Sequence, residues 1–445
     1  MDAEPAVNFS NLPSSPAMDL DLGARWHHQV RRPSGSGRMS AQLGVTRAAA
    51  GLLTTVWLAV VAHQLTVDQF GQVTLVLSLG SLVSIGTDLG IPLALSKVAC
   101  DHDRVDSGAV RRAVLTRLVA GLVAGLVLIA LWVNSAQADR WWMAGLYSIS
   151  VAVTPLGGSF LALLRGRAIG IVEAAYNVLS KLALLVVGAA TLAAGWKPSG
   201  VIAAFVLVDV VSSLALPVLV KPRLTLTPDP DPLQRAELRL RATLPLAAAG
   251  IIGSAYERVD IWLLAMLKGS GSVAIYVAAY KFYDTVLLPA MAMASAAVAA
   301  VGSDLAGNAR PVARRLALRA TAVAAPIALV VALLSPRLLR AAFGDHYGSA
   351  STAVNILMLA SLPGAALSVI TPIALLCRRD YIARLTLAGL AGNVIANLAL
   401  VPAVGIKGAA MAFLITDVAL LAAFYTALPT AAPAMSGPAP APSTP

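Results

Sequence analysis

After residue 40 the chain resolves into about a dozen stretches of predominantly apolar residues separated by short polar interruptions. A hydrocarbon slab about 30 Å thick asks for about 20 such residues per helix, and a water-soluble fold has no need of that repetition. The pattern predicts twelve membrane-spanning helices, over 43–62, 71–93, 118–133, 141–163, 171–193, 200–219, 242–267, 272–301, 317–335, 350–376, 382–400 and 408–427. The third stretch is short for a crossing, and starting its helix at Ala113 repairs the length. The fold class that follows is all-α integral membrane.

Composition agrees: 58% of residues are hydrophobic and only 12% charged, where a soluble domain carries about a quarter charged. The net charge of +11 does not mark a nucleic-acid surface, because the basic residues sit at the ends of the apolar stretches. The N-terminal segment, the loops after spans 2, 4, 6, 8 and 10 and the adjoining helix ends hold 24 of the 33 Lys and Arg residues. The opposite side holds six, Arg140, Lys197, Lys268, Arg337, Arg340 and Lys407. By the positive-inside rule both termini are expected in the cytoplasm, in a multi-pass protein of a bacterial plasma membrane. Residues 1–42 are expected to form a disordered cytoplasmic segment rich in Pro, Ser and Gly, and 429–445 an Ala/Pro-rich disordered tail. Residues 221–241 read as a basic cytoplasmic linker.

The chain also repeats itself. G-V-I-A-A-F-V-L-V-D-V from Gly200 is echoed by G-A-A-M-A-F-L-I-T-D-V from Gly408, with Gly, Phe and Asp at identical spacing. L-A-L-L-R-G-R at Leu161 is echoed by I-A-L-L-C-R-R at Ile373. Six helices return a chain to its starting side, so the repeats, 43–220 and 242–428, are expected as two parallel six-helix bundles related by an axis along the membrane normal. Rocking two-bundle transporters are built this way.

Ionisable groups inside spans are costly and therefore informative. At 1.5 Å per residue, Arg258 and Lys281 lie about 14 Å from the outer ends of spans 7 and 8, and Lys181 about 15 Å into span 5. All three cations sit near mid-depth and are candidates to bind an anionic substrate. Asp209 and Asp417 reach similar depth; with Asp260 they are the candidate ion-coupling carboxylates, or else buried structural residues of the repeat. Lys281 and Asp284, three apart on one helix face, are equally readable as an internal ion pair. Tyr276, Tyr280 and Tyr283 share that face as a wall suited to stacking on sugar rings or packing on the next helix, and Tyr280 is taken as a substrate-binding candidate.

Chemistry of other kinds is missing from the pattern. There is no Walker A glycine–lysine loop, no zinc-protease motif and no Cys/His cluster, so no cofactor, metal or catalytic residue is expected. Cys100 and Cys377 are too isolated for a disulfide framework. The loops are too short for a catalytic domain. Asp101, Asp103 and Asp106, beside Arg104, Arg111 and Arg112, read as a solvated loop rather than a glycosyltransferase site.

Several segments resemble a known family. They are D-Q-F-G-Q-V from Asp68, T-D-L-G-I-P-L-A-L-S-K from Thr87, E-R-V-D-I-W-L-L from Glu257, V-A-I-Y-V-A-A-Y-K-F-Y-D from Val273, F-G-D-H-Y-G-S-A from Phe343 and N-L-A-L-V-P-A-V-G-I-K-G-A-A-M-A from Asn397. In order and spacing the chain resembles the polysaccharide flippases, the O-antigen transporter-like proteins of the multidrug/oligosaccharidyl-lipid/polysaccharide exporter superfamily. The resemblance implies a central cationic cavity between the bundles and movement of a polyprenyl-diphosphate-linked oligosaccharide to the outer leaflet by alternating access. Arg258 matches the basic residue of the family's R-x-D segment, Arg258–Asp260, and would meet the pyrophosphate or a sugar acid, with Lys281 as a second candidate. Membrane lipids, a polysaccharide polymerase and glycosyltransferases are the partners implied. An ion-coupled exporter of small molecules and a membrane glycosyltransferase or polymerase are the competing readings.

Overall fold

The computed structural model describes residues 36–102, 104–133, 141–167, 169–228, 231–301 and 305–428. The expected disordered tail, and most of the expected N-terminal segment, lie outside the described residues. From Ser36 the chain is already helical, seven residues before the apolar stretch begins.

The first half contains α1 (Ser36–Gln64), α2 (Val67–Gly86), α3 (Ile91–Asp101), α4 (Ser107–Val133), α5 (Trp141–Gly166), α6 (Gly170–Ala193) and α7 (Ser199–Val220). The second contains α9 (Leu240–Tyr256), α10 (Val259–Lys268), α11 (Ser270–Val301), α12 (Leu305–Phe343), α13 (Ser351–Val404) and α14 (Ile406–Ala427). Among the described residues ten stretches are long and apolar enough to cross a membrane.

Contacts between distant connections sort the molecule into two faces. On one, which collects connections after odd-numbered spans, Lys197 donates to Gln64 at 3.1 Å, Lys268 to the Pro402 carbonyl at 3.0 Å, and Ser270 bonds Asp68. On the other, a Cβ at Gly166 would lie 2.1 Å from the Ser96 carbonyl, β1 (Val105–Asp106) pairs in parallel with β2 (Leu226–Thr227), and Arg310 reaches the Thr426 carbonyl at 2.7 Å. Up-and-down crossings with even-numbered returns explain both sets.

Four predicted spans differ from the structure in where a helix breaks or continues. Span 2 is not one helix: it breaks at Thr87–Gly90, where Leu89 and Gly90 have φ of 48° and 69°. Glycine tolerates the left-handed region, and Pro92 then sits in the first turn of α3, where a missing N–H costs nothing. Span 7 breaks at Glu257–Arg258, with Arg258 at φ −128° and ψ −11°. Spans 10 and 11 form one unbroken run of helical backbone, Ser351–Val404. This run is nevertheless two crossings. A Cβ at Gly364 would stand 3.5 Å from Asp417 Oδ2, while Asn393 Nδ2 donates to the adjacent Thr416 at 3.1 Å. A straight helix would separate Gly364 and Asn393 by about 40 Å, so the run doubles back between them.

The linker is folded rather than loose. Besides β2 it forms α8 (Pro232–Glu237), capped by Asp231, whose carboxylate accepts from the Leu233 and Gln234 amides at 2.9 and 3.3 Å. Leu224 and Leu238 are buried in an apolar cluster with Leu95, Val98, Val110 and Leu163. Asp106, expected as part of a solvated loop, is 1% exposed. It accepts from Arg235 Nε at 2.9 Å and from the Gly108, Ala109 and Asp231 amides at 2.7–3.2 Å. Burial alone would raise its carboxyl, but these donors outweigh it and hold the group below the ordinary carboxylate range. Lys97 adds a 2.8 Å bridge to Glu237.

Candidate functional site

The break between α9 and α10 organises the site. A helix end at membrane depth frees N–H and C=O groups that must find partners or face a cavity. Here Asp260, in the first turn of α10, turns its Oδ1 onto the Ile261 amide at 2.8 Å, while Oδ2 accepts from the Tyr276 hydroxyl at 2.5 Å. Asp260 is fully buried. It is therefore a partnered residue that shapes the break, and it links α10 to α11.

Glu257 is exposed and Arg258 half-buried. No side-chain hydrogen bond or ion pair within 4 Å involves Arg258 among the described residues; Tyr280, Asp284, Glu257 and Asp260 act on its charge from farther away. Ten residues of α10 place the break about 15 Å from the odd-connection face, the depth expected from sequence. The N-terminus of α10 adds the positive end of a helix dipole there.

Lys281 is paired: its Nζ lies 2.6 Å from Asp284 Oδ2 within α11. The Tyr280 ring lies tilted against Tyr276 and Tyr283, with centroids 6.0 and 5.2 Å away, and edge-on to Phe413 at 5.6 Å. All three tyrosines are at most 5% exposed, so most of this wall faces α14 rather than open space. Asp417 is held by the Tyr256 hydroxyl at 2.7 Å and the Tyr283 hydroxyl at 3.2 Å. Gly364 makes room for that arrangement, because a Cβ there would meet the Tyr283 oxygen at 2.4 Å.

Asp209 occupies the corresponding place in the first bundle and accepts from Ser150 at 2.5 Å, joining α7 to α5. Lys181, on α6, is near enough for its charge to act on Asp209. The structure thus gathers Arg258, Asp260, Lys281, Tyr280 and Asp417 in the second bundle and places Lys181 with Asp209 in the first. Among the described contacts nothing joins the two groups. The three mid-depth cations are not equivalent. Lys281 is ion-paired with Asp284; among the described residues neither Lys181 nor Arg258 has a directly bonded counter-ion, Asp209 sensing Lys181, as Asp284, Glu257 and Asp260 sense Arg258, only from a distance.

Arg117 was missed by the sequence reading, which counted it with the inside-positive residues. It lies within α4, 3% exposed, and donates to Thr87 O at 3.4 Å, Pro155 O at 2.9 Å and Ser159 Oγ at 2.7 Å, with Asp88 as its ion-pair partner. It pins the break in span 2. The available signal was the shortness of the third span, since beginning that helix at Ala113 draws Arg117 into it. Tyr256 and Ser150, the partners of the repeated aspartates, left no sequence signal at all.

The family described as polysaccharide biosynthesis protein matches residues 42–301, more than half of the chain. The chain belongs to that family. No curated protein matches it. Among solved structures, a Vibrio cholerae MATE transporter aligns with a TM-score of 0.64 at 13% identity, covering 89% of this chain and 96% of that one. A MOP superfamily transporter from Pyrococcus furiosus aligns with a TM-score of 0.60 at 15% identity, covering 88% and 94%. An outward-facing multidrug resistance MATE family transporter of the MOP superfamily gives 0.59 at 15% identity, over the same shares. This member of the polysaccharide biosynthesis family therefore has the fold of the MOP superfamily.

Proposed function

We propose that this protein carries a polyprenyl-diphosphate-linked oligosaccharide from the cytoplasmic to the outer leaflet of a bacterial plasma membrane, by alternating access between its two bundles. The observation that carries the reading is the interrupted seventh span. At mid-depth it offers an arginine with no bonded counter-ion and the positive end of a half-helix. Discontinuous helices whose N-termini point at anionic groups are how many transporters hold substrate near the bilayer centre. Arg258 is the principal anion contact, and Lys281, Lys181 and Tyr280 are secondary candidates. Membership of a polysaccharide biosynthesis family supports a glycan cargo, and the clustering of 24 cations on one side supports cytoplasmic termini. Asp260, Asp209 and Asp417 remain the candidates for ion coupling. A polymerase and glycosyltransferases would supply and consume the cargo.

A small-molecule exporter is the second reading, favoured by the MATE transporters among the structural neighbours. Reconstituted protein offered a fluorescent lipid-linked glycan or a cationic dye separates the two. Arg258→Ala should lower glycan translocation at least tenfold, with Arg258→Lys intermediate because a point charge replaces a bidentate fork. Dye transport without glycan transport, or full glycan transport by Arg258→Ala, would overturn the proposal.

A further inference from the structure

Two motifs singled out in the sequence meet each other at the odd-connection face. D-Q-F-G-Q, at the start of α2, belongs to the first bundle; F-G-D-H-Y-G, where α12 ends, belongs to the second. Phe70 packs edge-on against Tyr347 with ring centroids 5.9 Å apart and lies 6.4 Å from Phe343, which in turn contacts Phe282 of α11 at 6.1 Å. Phe70, Phe343 and Tyr347 are 0, 1 and 2% exposed. Beside them the backbones touch: a Cβ on Gly71 would stand 2.0 Å from the Ser270 carbonyl oxygen. Ser270 bonds Asp68, whose other carboxylate oxygen accepts from Gln72 at 2.8 Å. The strand of contacts is set in register by a capping box, Thr66 with Gln69, that starts α2 at this point.

We propose that these residues form the outer gate: a dry aromatic seal between the bundles that is closed in this structure and must part for release to the outer leaflet. The assignment of this face as outer rests on the topology given above. Three features suit a contact that opens and closes. The seal crosses from one repeat to the other. It depends on rings and a bare glycine rather than ion pairs, so separation strands no charge. The buried Tyr347 hydroxyl has no hydrogen-bond partner among the described residues, so the closed state carries a standing cost that water relieves on opening.

The gate is testable without any substrate. Spin labels at Lys197→Cys and Lys268→Cys, one on each bundle at this face, in a Cys100→Ser/Cys377→Ser background, report the separation by electron–electron resonance in lipid nanodiscs. Gly71→Ala forces a Cβ into the Ser270 carbonyl, and Phe70→Ala removes the keystone ring. Each should raise the ratio of long to short distances at least tenfold in monodisperse, helical protein. Tyr347→Phe, which keeps the ring and deletes the unpartnered hydroxyl, should stay closed. If Gly71→Ala fails to fold, Phe70→Ala decides. Parent-like distances in folded Phe70→Ala, or opening by Tyr347→Phe to the same degree, would overturn the gate. Failure to move lipid-linked glycan would overturn the proposed cargo and leave this result standing.

Discussion

Replacing Arg117 by methionine should be far more damaging than neutralising its ion-pair partner by Asp88→Asn. The side chain of Arg117 is 3% exposed and that of Asp88 51%. Removing the arginine strands Thr87 O, the Pro155 carbonyl and part of the Ser159 bonding, all of them buried or part-buried. Deleting one member of a buried pair costs about 3–5 kcal/mol, mainly through the group left behind. Asp88 is left half in solvent, so that figure must be discounted, and the lost charge-assisted bonds bring the expectation to about 2–4 kcal/mol. Asp88→Asn keeps an acceptor for Arg117 and removes a half-exposed carboxylate, which should cost less than about 1 kcal/mol. The assay is thermal inactivation of the purified protein in nanodiscs, read as rates at fixed temperature because large membrane proteins unfold irreversibly. Hydrogen exchange at Thr87–Gly90 checks the location of the damage. If both variants inactivated at the same rate, or Arg117→Met behaved as the parent, Arg117 would be an ordinary inside-positive charge and the pinned break would be wrong.

Two further outcomes follow from the geometry. Gly364→Ala should cost about 1–3 kcal/mol, the usual range for overpacking, since its methyl would meet the Tyr283 oxygen at 2.4 Å; in a Tyr283→Phe background, which has already lost the bond to Asp417, adding Gly364→Ala should cost much less in the same inactivation assay, and an equal cost in both backgrounds would refute the contact. The Asp106–Arg235 clasp should weaken in acid: a carboxyl depressed in the folded state contributes stability present above the unfolded value of about 3.9 and lost as pH falls through its lower folded value. Amide protection over Leu226–Thr227 and Pro232–Glu237, taken relative to the intrinsic exchange rate at each pH, should therefore be high at pH 6 and fall below about pH 4, with Asp106→Asn low at both; equal protection at both pH values in the parent would refute it.

The parts legible in the sequence share a cause. Apolar length is a local property fixed by the thickness of a hydrocarbon layer, so most spans emerge within a few residues. The helices of spans 3 and 9 extend well past their apolar stretches, to Ser107–Val133 and Leu305–Phe343. The positive-inside bias predicts the direction of the spans. The depth of Arg258 followed from counting alone. The breaks were harder. Gly90 and Pro92 marked the one in span 2, but at Glu257–Arg258 no Gly or Pro interrupts the helix; what ends it is the Asp260 carboxylate taking up the Ile261 amide and the Tyr276 hydroxyl. Asp106 looked like part of a charged loop because its neighbours in sequence are charged. Its actual neighbour, Arg235, is 129 residues away.

The sequence by itself determined a twelve-span membrane protein with an internal repeat, and a short list of ionisable residues at a depth where each demands a reason. It could do so because hydropathy, helix rise and residue spacing act within one segment. Only the tertiary structure decided what each of those charges does. A buried charge is defined by its partner, and partners here come from other helices: Ser150 for Asp209, Tyr256 and Tyr283 for Asp417, Asp88 for Arg117. The same pairing that accounts for Lys281 and Arg117 leaves Arg258, among the described residues, without a bonded counter-ion, on a helix end that sequence alone drew as continuous.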